Sequence, residues 1–171
     1  MEVRKPSDSR SSMSEIVLPN DTNTLGNLMG GRLLHWMDMV TAMSAMRHSN
    51  RVVVTVSVDF VDFKSPVRLG EVVLLEARVT RAFSSSMEVR VEVSAENLQT
   101  REKRICNSAY YSFVAVDQTG RPIPVNQIQP ESEEDQKYFD SALRRRELRL
   151  VLSGKLKPEE ATHVRSIFLP E

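Results

Sequence analysis

The sequence predicts an α+β domain in which one antiparallel β-sheet wraps a long central helix, and three observations carry that expectation. The stretch RLLHWMDMVTAMSAMRH places Leu33, Leu34, Met37, Val40, Thr41 and Ser44 at helical spacings and contains neither Pro nor Gly. Its apolar residues run almost all the way round, which marks a helix buried inside something. Directly after it the period changes to two. Val54, Val56, Val58 and Phe60 alternate with Thr55, Ser57 and Asp59, and later Met87, Val89, Val91 and Val93 alternate with Glu88, Arg90, Glu92 and Ser94.

Taken in order, residues 1–13 are polar and charged and read as a flexible N-terminal arm. A short strand is expected from Glu15 to Leu18, followed by PNDTNTLGNLMGG, a loop crowded with turn formers. The central helix is expected from about Gly30 to His48. Four strands follow in a meander: the Val54–Phe60 segment, EVVLLEARVTRAF, MEVRVEVSA, and the Tyr- and Val-rich run from about Arg104 to Val116 closed by DQTG. The charged segment from Ser132 to Arg149 has acids early and arginines late, as the helix dipole prefers, and Pro158 suits the start of a last short helix. The expected organisation is an arm (1–13), one domain (14–130) and an extra C-terminal helical extension (131–171).

At 171 residues, 40% apolar and 27% charged, the chain has the size and balance of one globular domain. Its formal net charge of zero suggests no broad attraction to nucleic acid or anionic membrane. The lone Cys106 cannot form an intrachain disulfide, and neither a signal peptide nor a membrane-inserting run is evident, so a cytoplasmic location is expected. A helix apolar on all sides exceeds what one small sheet can cover, which predicts at least a homodimer.

At LPNDTNTLGNLMGGRLLHWMD, and again through VSVDFVDFKSPVRLGE, the SSSMEVRVEV hairpin and SAYYSFVAVDQTGRPIPV, the sequence resembles the acyl-CoA thioesterases of the hotdog-fold superfamily. The motif positions read Pro19, Asp21, Gly26, Asn27, Gly30, Gly31 and Asp38, and the likeness spans roughly residues 14–146. It implies a hotdog fold and hydrolysis of fatty acyl-CoA to free acid and coenzyme A. Coenzyme A is then part of substrate and product, and no separate cofactor is implied. It also implies a homo-oligomer, with a trimer of dimers favoured.

Thioester hydrolysis requires an activated water or a nucleophile and a place for the developing oxyanion. Gly30 and Gly31 stand where a helix begins, so their backbone N–H groups are unpaired and at the positive end of the dipole. Asp38 is a carboxylate among Leu, Met, Trp and Ala, where an unpaired charge is costly. The resemblance gives Asp38 the role of general base or nucleophile and Asn27 that of orienting the water or the thioester carbonyl. It also makes Phe63, Lys64, Ser65 and Pro66, with Arg81, Ser84, Ser85 and Ser86, the lining of the coenzyme A site. Taken alone, the same residues also read as loop glycines, a helix-surface Asp, a turn Asn, a hairpin turn and solvated cations. Eight residues separate Gly30 from Asp38, about 12 Å along a helix, so one carbonyl reaches both only if they come from different chains. Arg144, Arg145 and Arg146 could reach phosphates or simply form a solvated face. His35, His48 and His163 lack metal-ligand spacing, and His48 is expected to end the helix by complementing its dipole. Two other functions share this fold. One is a non-catalytic acyl-CoA sensor; the other is a hydratase, in which His35 would stand beside Asp38.

Overall fold

The computed structural model describes residues 2–164. Seven strands occur in chain order: β1 (Val3–Arg4), β2 (Ser11–Ile16), β3 (Val52–Phe63), β4 (Val72–Ala82), β5 (Ser86–Glu96), β6 (Lys103–Val116) and β7 (Gln127–Ile128). Between β2 and β3 lies helix α1 (Gly30–Ser49), and after β7 comes α2 (Glu133–Leu152). The described residues fall into two compact units, divided between Gln129 and Pro130.

Helix α1 forms because nothing between Gly30 and Ser49 breaks it. It stops where Asn50 enters the left-handed region (φ 53°) and donates its N–H to the Met46 carbonyl at 2.8 Å. Within the chain it buries a stripe at helical spacing, Leu33, Trp36, Met37, Val40, Thr41, Ser44, Ala45 and His48, while Met39 and Met46 on the other side stay exposed. The stripe packs on the inward residues of the sheet. These are Val73, Leu75, Ala77 and Val79 of β4, Met87, Val89, Val91 and Val93 of β5, and Ala109, Tyr111, Phe113 and Ala115 of β6, all buried. Each such Val or Leu contributes about 1.5–3 kcal/mol when withdrawn from water.

The strands do not form the expected meander. The sheet order is β2-β4-β5-β6-β3, all neighbours antiparallel, so β3 pairs with β6 at the far edge and not with β4. Periodicity identifies strands but not partners. The eight residues from Lys64 to Glu71 make the crossing, reaching about 26 Å when extended against three strand spacings of about 14 Å. The crossing is pinned at its end by Glu71, a buried carboxylate that receives both guanidinium nitrogens of Arg104 (2.8 and 2.7 Å) and the Arg68 N–H (2.8 Å). Arg104 also donates to the Pro66 carbonyl, and its hydrogen bond above all holds the Glu71 carboxyl below the usual range.

The expected loose arm is also corrected. Residues 3–4 pair in parallel with β7, Pro6–Ser9 form a 3₁₀ turn with Pro6 and Ser9 buried, and β2 starts at Ser11, ahead of Glu15. Composition misleads here because the polar side chains find partners on the domain. The Ser9 hydroxyl accepts from the Val79 N–H at 2.9 Å, Arg4 donates to the Arg47 carbonyl, and Arg10 pairs with Glu76. In the second unit the expected helix is present, capped by Ser132, whose hydroxyl accepts from the Asp135 N–H, and a 3₁₀ turn follows at Pro158–Glu160. No helix among the described residues is long and apolar enough to cross a membrane.

His48 does not act as a cation at the helix end. It is fully buried, its Nε2 lies 2.8 Å from the Asn126 carbonyl, and its Nδ1 has no partner among the described residues. Burial above all, with Arg4 adding to it, pushes its pKa down against the opposing Asn126 carbonyl and Asp8, so the ring is neutral. The unfolded chain therefore binds this proton more readily than the folded one. Stability held above about pH 6.5, the ordinary histidine value, is lost as pH falls below it. The thermal midpoint is expected to drop between roughly pH 6.5 and 5 and to drop less in His48→Gln; parallel curves for the two proteins would refute this.

Candidate active site

The loop between Asp21 and α1 is a small hairpin. Thr22 bridges Leu28, Asn23 exchanges main-chain bonds with Asn27 and Gly26, and Gly26 turns at φ +73° where a Cβ would be strained. The Asn23 side chain organises this turn, its Oδ1 accepting from the N–H groups of Leu25 (3.0 Å) and Asn27 (3.2 Å). Buried Asp21 ties the loop to the helix through Arg32 (2.8 Å) and accepts from the Leu18 N–H. The helix then opens at Gly30 with no side-chain cap from Met29, leaving the first N–H groups, Gly30 and Gly31 among them, to face outward along the dipole. A Cβ on Gly30 would lie 3.4 Å from the Phe63 ring; at Gly31 it would meet nothing within 4 Å.

Two turns further along α1, Asp38 is half-buried and accepts a hydrogen bond on Oδ1 from the Thr55 hydroxyl at 2.9 Å. Thr55 was expected on the wet face of β3. The register runs unbroken from Val52 to Thr55, which lies opposite inward Phe113 and turns toward the helix, while Val52, Val54, Val56 and Val58 are exposed; the strand's register shifts come only after Thr55, between it and Ser57 and between Asp59 and Asp62. Tyr111, inward on β6, donates to the Leu34 carbonyl at 3.3 Å.

The residues expected around coenzyme A fall into two groups. Phe63, Lys64, Ser65 and Pro66 line one cavity of about 300 Å³ with Leu28 and Leu33, next to Gly30. Arg81, Ser84, Ser85 and Ser86 sit at the β4–β5 turn, where the Ser84 and Ser85 carbonyls accept from Val125 and Ala115. Phe63 pairs with Asn107 and Ser86 with Val114, so the groups are at opposite ends of β6, about 24 Å apart at 3.4 Å per residue. Asp38, by Thr55, lies toward the Ser86 end; Gly30, by Phe63, lies at the other. One chain does not bring them together.

The thioesterase superfamily profile matches residues 25–101. An uncharacterized acyl-CoA thioester hydrolase of Bacillus subtilis, YkhA, is 39% identical over 144 residues, which cover 84% of each protein. The chain belongs to the thioesterase superfamily. It spans only 24% of a longer mouse member, acyl-coenzyme A thioesterase 11. Among solved structures, a hexameric acyl-CoA thioesterase superposes with TM-score 0.87 at 39% identity, covering 90% of this chain and 98% of that one. The acyl-CoA hydrolase of Staphylococcus aureus, solved with butyryl coenzyme A, coenzyme A and coenzyme A disulfide, gives 0.82 at 32% identity, covering 90% and 95%. The α+β architecture of this thioesterase-superfamily chain is the hotdog fold.

Alanine variants of the Staphylococcus enzyme have been solved at an asparagine, an aspartate and a threonine, the first two 15 positions apart and the last two 17 apart. Asn23, Asp38 and Thr55 have those spacings here. Asn23 and Thr55 are therefore the site candidates that sequence reasoning missed. PNDTNTLGN offers three asparagines, and only the folded loop shows that Asn23 holds the turn by its side chain while Asn27 takes part through its main chain. Thr55 had no local signal, because alternation separates the two faces of a strand without saying which of them meets the helix.

Proposed function

We propose that the chain hydrolyses acyl-CoA to free acid and coenzyme A, with Asp38 as general base or nucleophile at a site shared between two copies. The observation that carries this is the Thr55–Asp38 hydrogen bond, within an Asn23, Asp38 and Thr55 set spaced as the positions varied in the Staphylococcus hydrolase. Thr55 fixes one carboxylate oxygen and leaves the other to work. In the general-base form, Asp38 takes a proton from water as its oxygen attacks the thioester carbon. The oxyanion is held by the Gly30 and Gly31 N–H groups and the Asn23 carboxamide N–H, and collapse expels the coenzyme A thiolate, which recovers the proton.

Sharing follows from the sheet edge. β3 is twelve residues long, lies at the edge and exposes four valines and Phe60, a surface that calls for a second strand. A second copy paired antiparallel across a two-fold axis at β3 would set the Phe63 end of one chain beside the Thr55 end of the other. Gly30 and Asn23 of one copy would then approach Asp38 of the next. The Lys64 group of one would also join the Ser84–Ser86 turn of the other on one side of the dimer, where phosphates find turn N–H groups and cations. The hexameric neighbour favours a trimer of such dimers, and a cytoplasmic location remains part of this reading.

The test is release of free thiol from acyl-CoAs of increasing chain length. Turnover of at least one chain length is expected, with Asn23→Ala lowering kcat about 100-fold, as loss of one oxyanion donor does. Acyl-CoA that binds without thiol release would overturn the enzyme reading in favour of a sensor.

A further inference from the structure

Asp38 is held from the sheet at two points. Thr55 on β3 donates to its carboxylate at 2.9 Å. One turn earlier in α1 the Leu34 carbonyl, which accepts the Asp38 N–H by ordinary helix geometry, takes a second bond from the Tyr111 hydroxyl at 3.3 Å. Thr55 faces Phe113 across the sheet, and Tyr111 is the next inward residue along β6, its ring stacked on Phe113 with centroids 6.2 Å apart and planes at 15°. Neighbouring inward positions thus grip one helical turn, one by its carboxylate and one by the main chain beneath it.

Packing does not explain the hydroxyl. The ring fills the core, and a phenylalanine would fill it equally well. The oxygen is buried, and its partner among the described residues is a single carbonyl at the long end of hydrogen-bond range. Such a bond contributes little beyond the cost of stripping water from the hydroxyl. What it adds is a tie between β6 and the turn of α1 that carries Asp38. Burial first, and the Asp38 charge second, keep the phenol protonated far beyond its ordinary range, so the hydroxyl has its proton to donate at every working pH.

We infer that Tyr111 is a positioning residue for Asp38: it fixes the turn that carries the carboxylate. This rests on the thioesterase reading of the same site. Tyr111→Phe is expected to lower kcat about tenfold through misplacement of the base, with KM unchanged. Its thermal midpoint should stay within about 3 °C of the natural protein, since the ring is kept. Three proteins are measured at matched oligomeric state: the natural chain, Asp38→Ala and Tyr111→Phe. If the first is active, the second inactive and the third unchanged in kcat, the role of Tyr111 is refuted while the enzyme reading stands. A fall in midpoint with kcat intact reduces Tyr111 to a structural residue, and no thiol release by the natural protein overturns both ideas together.

Discussion

Asp38→Ala abolishes thioester hydrolysis while the protein stays folded and assembled: a loss of roughly 10³-fold or more in kcat is expected for removal of the group that activates water or attacks. The fold should tolerate the change, because Asp38 is half-buried and its partner Thr55 is exposed enough to bond water instead. The informative form of the experiment mixes two inactive proteins. Asn23→Ala lacks the loop side of the site and Asp38→Ala the carboxylate side. In a site shared across the β3 edge, each mixed dimer holds one intact site built from the sound half of either chain. Random reassociation should therefore restore about a quarter of the natural activity. A mixture as inactive as its components would place Asn23 and Asp38 in one chain's site, contrary to the 12 Å that the helix puts between Gly30 and Asp38.

Glu71→Ala is expected to cost about 3 kcal/mol of stability, the lower end for breaking a buried ion pair, because the Arg104 side chain is 31% exposed and can recover some water. The loss is read as a lower urea midpoint at unchanged slope. It goes beyond one pair. Glu71 joins Arg104 to the Arg68 N–H, and Arg104 holds the Pro66 carbonyl, so the whole crossing from Lys64 to Glu71 loses its anchor. Since the folded-state pKa of Glu71 lies below its ordinary value, chiefly through the Arg104 bond, its contribution is complete above about pH 4.5 and fades as pH falls through the lowered value. The natural protein should therefore lose stability in acid more steeply than Glu71→Ala. A substitution that leaves the urea midpoint in place would show that the main-chain bonds of the crossing to Val17, Gly26, Leu28 and Cys106 hold it without the ion pair.

What the sequence determined by itself is everything that depends on near neighbours in the chain. The spacing of Leu33, Met37, Val40 and Ser44 made a helix, the alternation around Val89 and Val91 made a strand, and Ser132 with three acids behind it made a capped helix start. The pair Gly30 and Gly31 ahead of that helix, with Asp38 eight residues on, was legible for the same reason.

Tertiary structure decided whatever depends on which strand meets which. The position of β3 beside β6 was invisible, because hydrophobic period reports a face and never a partner. With it went the split of the coenzyme A residues between the two ends of the sheet. The inward face of Thr55 follows from its pairing with Phe113, which the alternation of β3 does not report. Asn23 differs from Asn20 and Asn27 only in the N–H groups its folded loop presents to it. The polar arm is ordered because Val79, Arg47 and Glu76 offer it partners 37 to 70 residues away. Local free energies are written along the chain, whereas a catalytic site is assembled from contacts whose cost is loop closure and whose geometry exists only once the chain has closed.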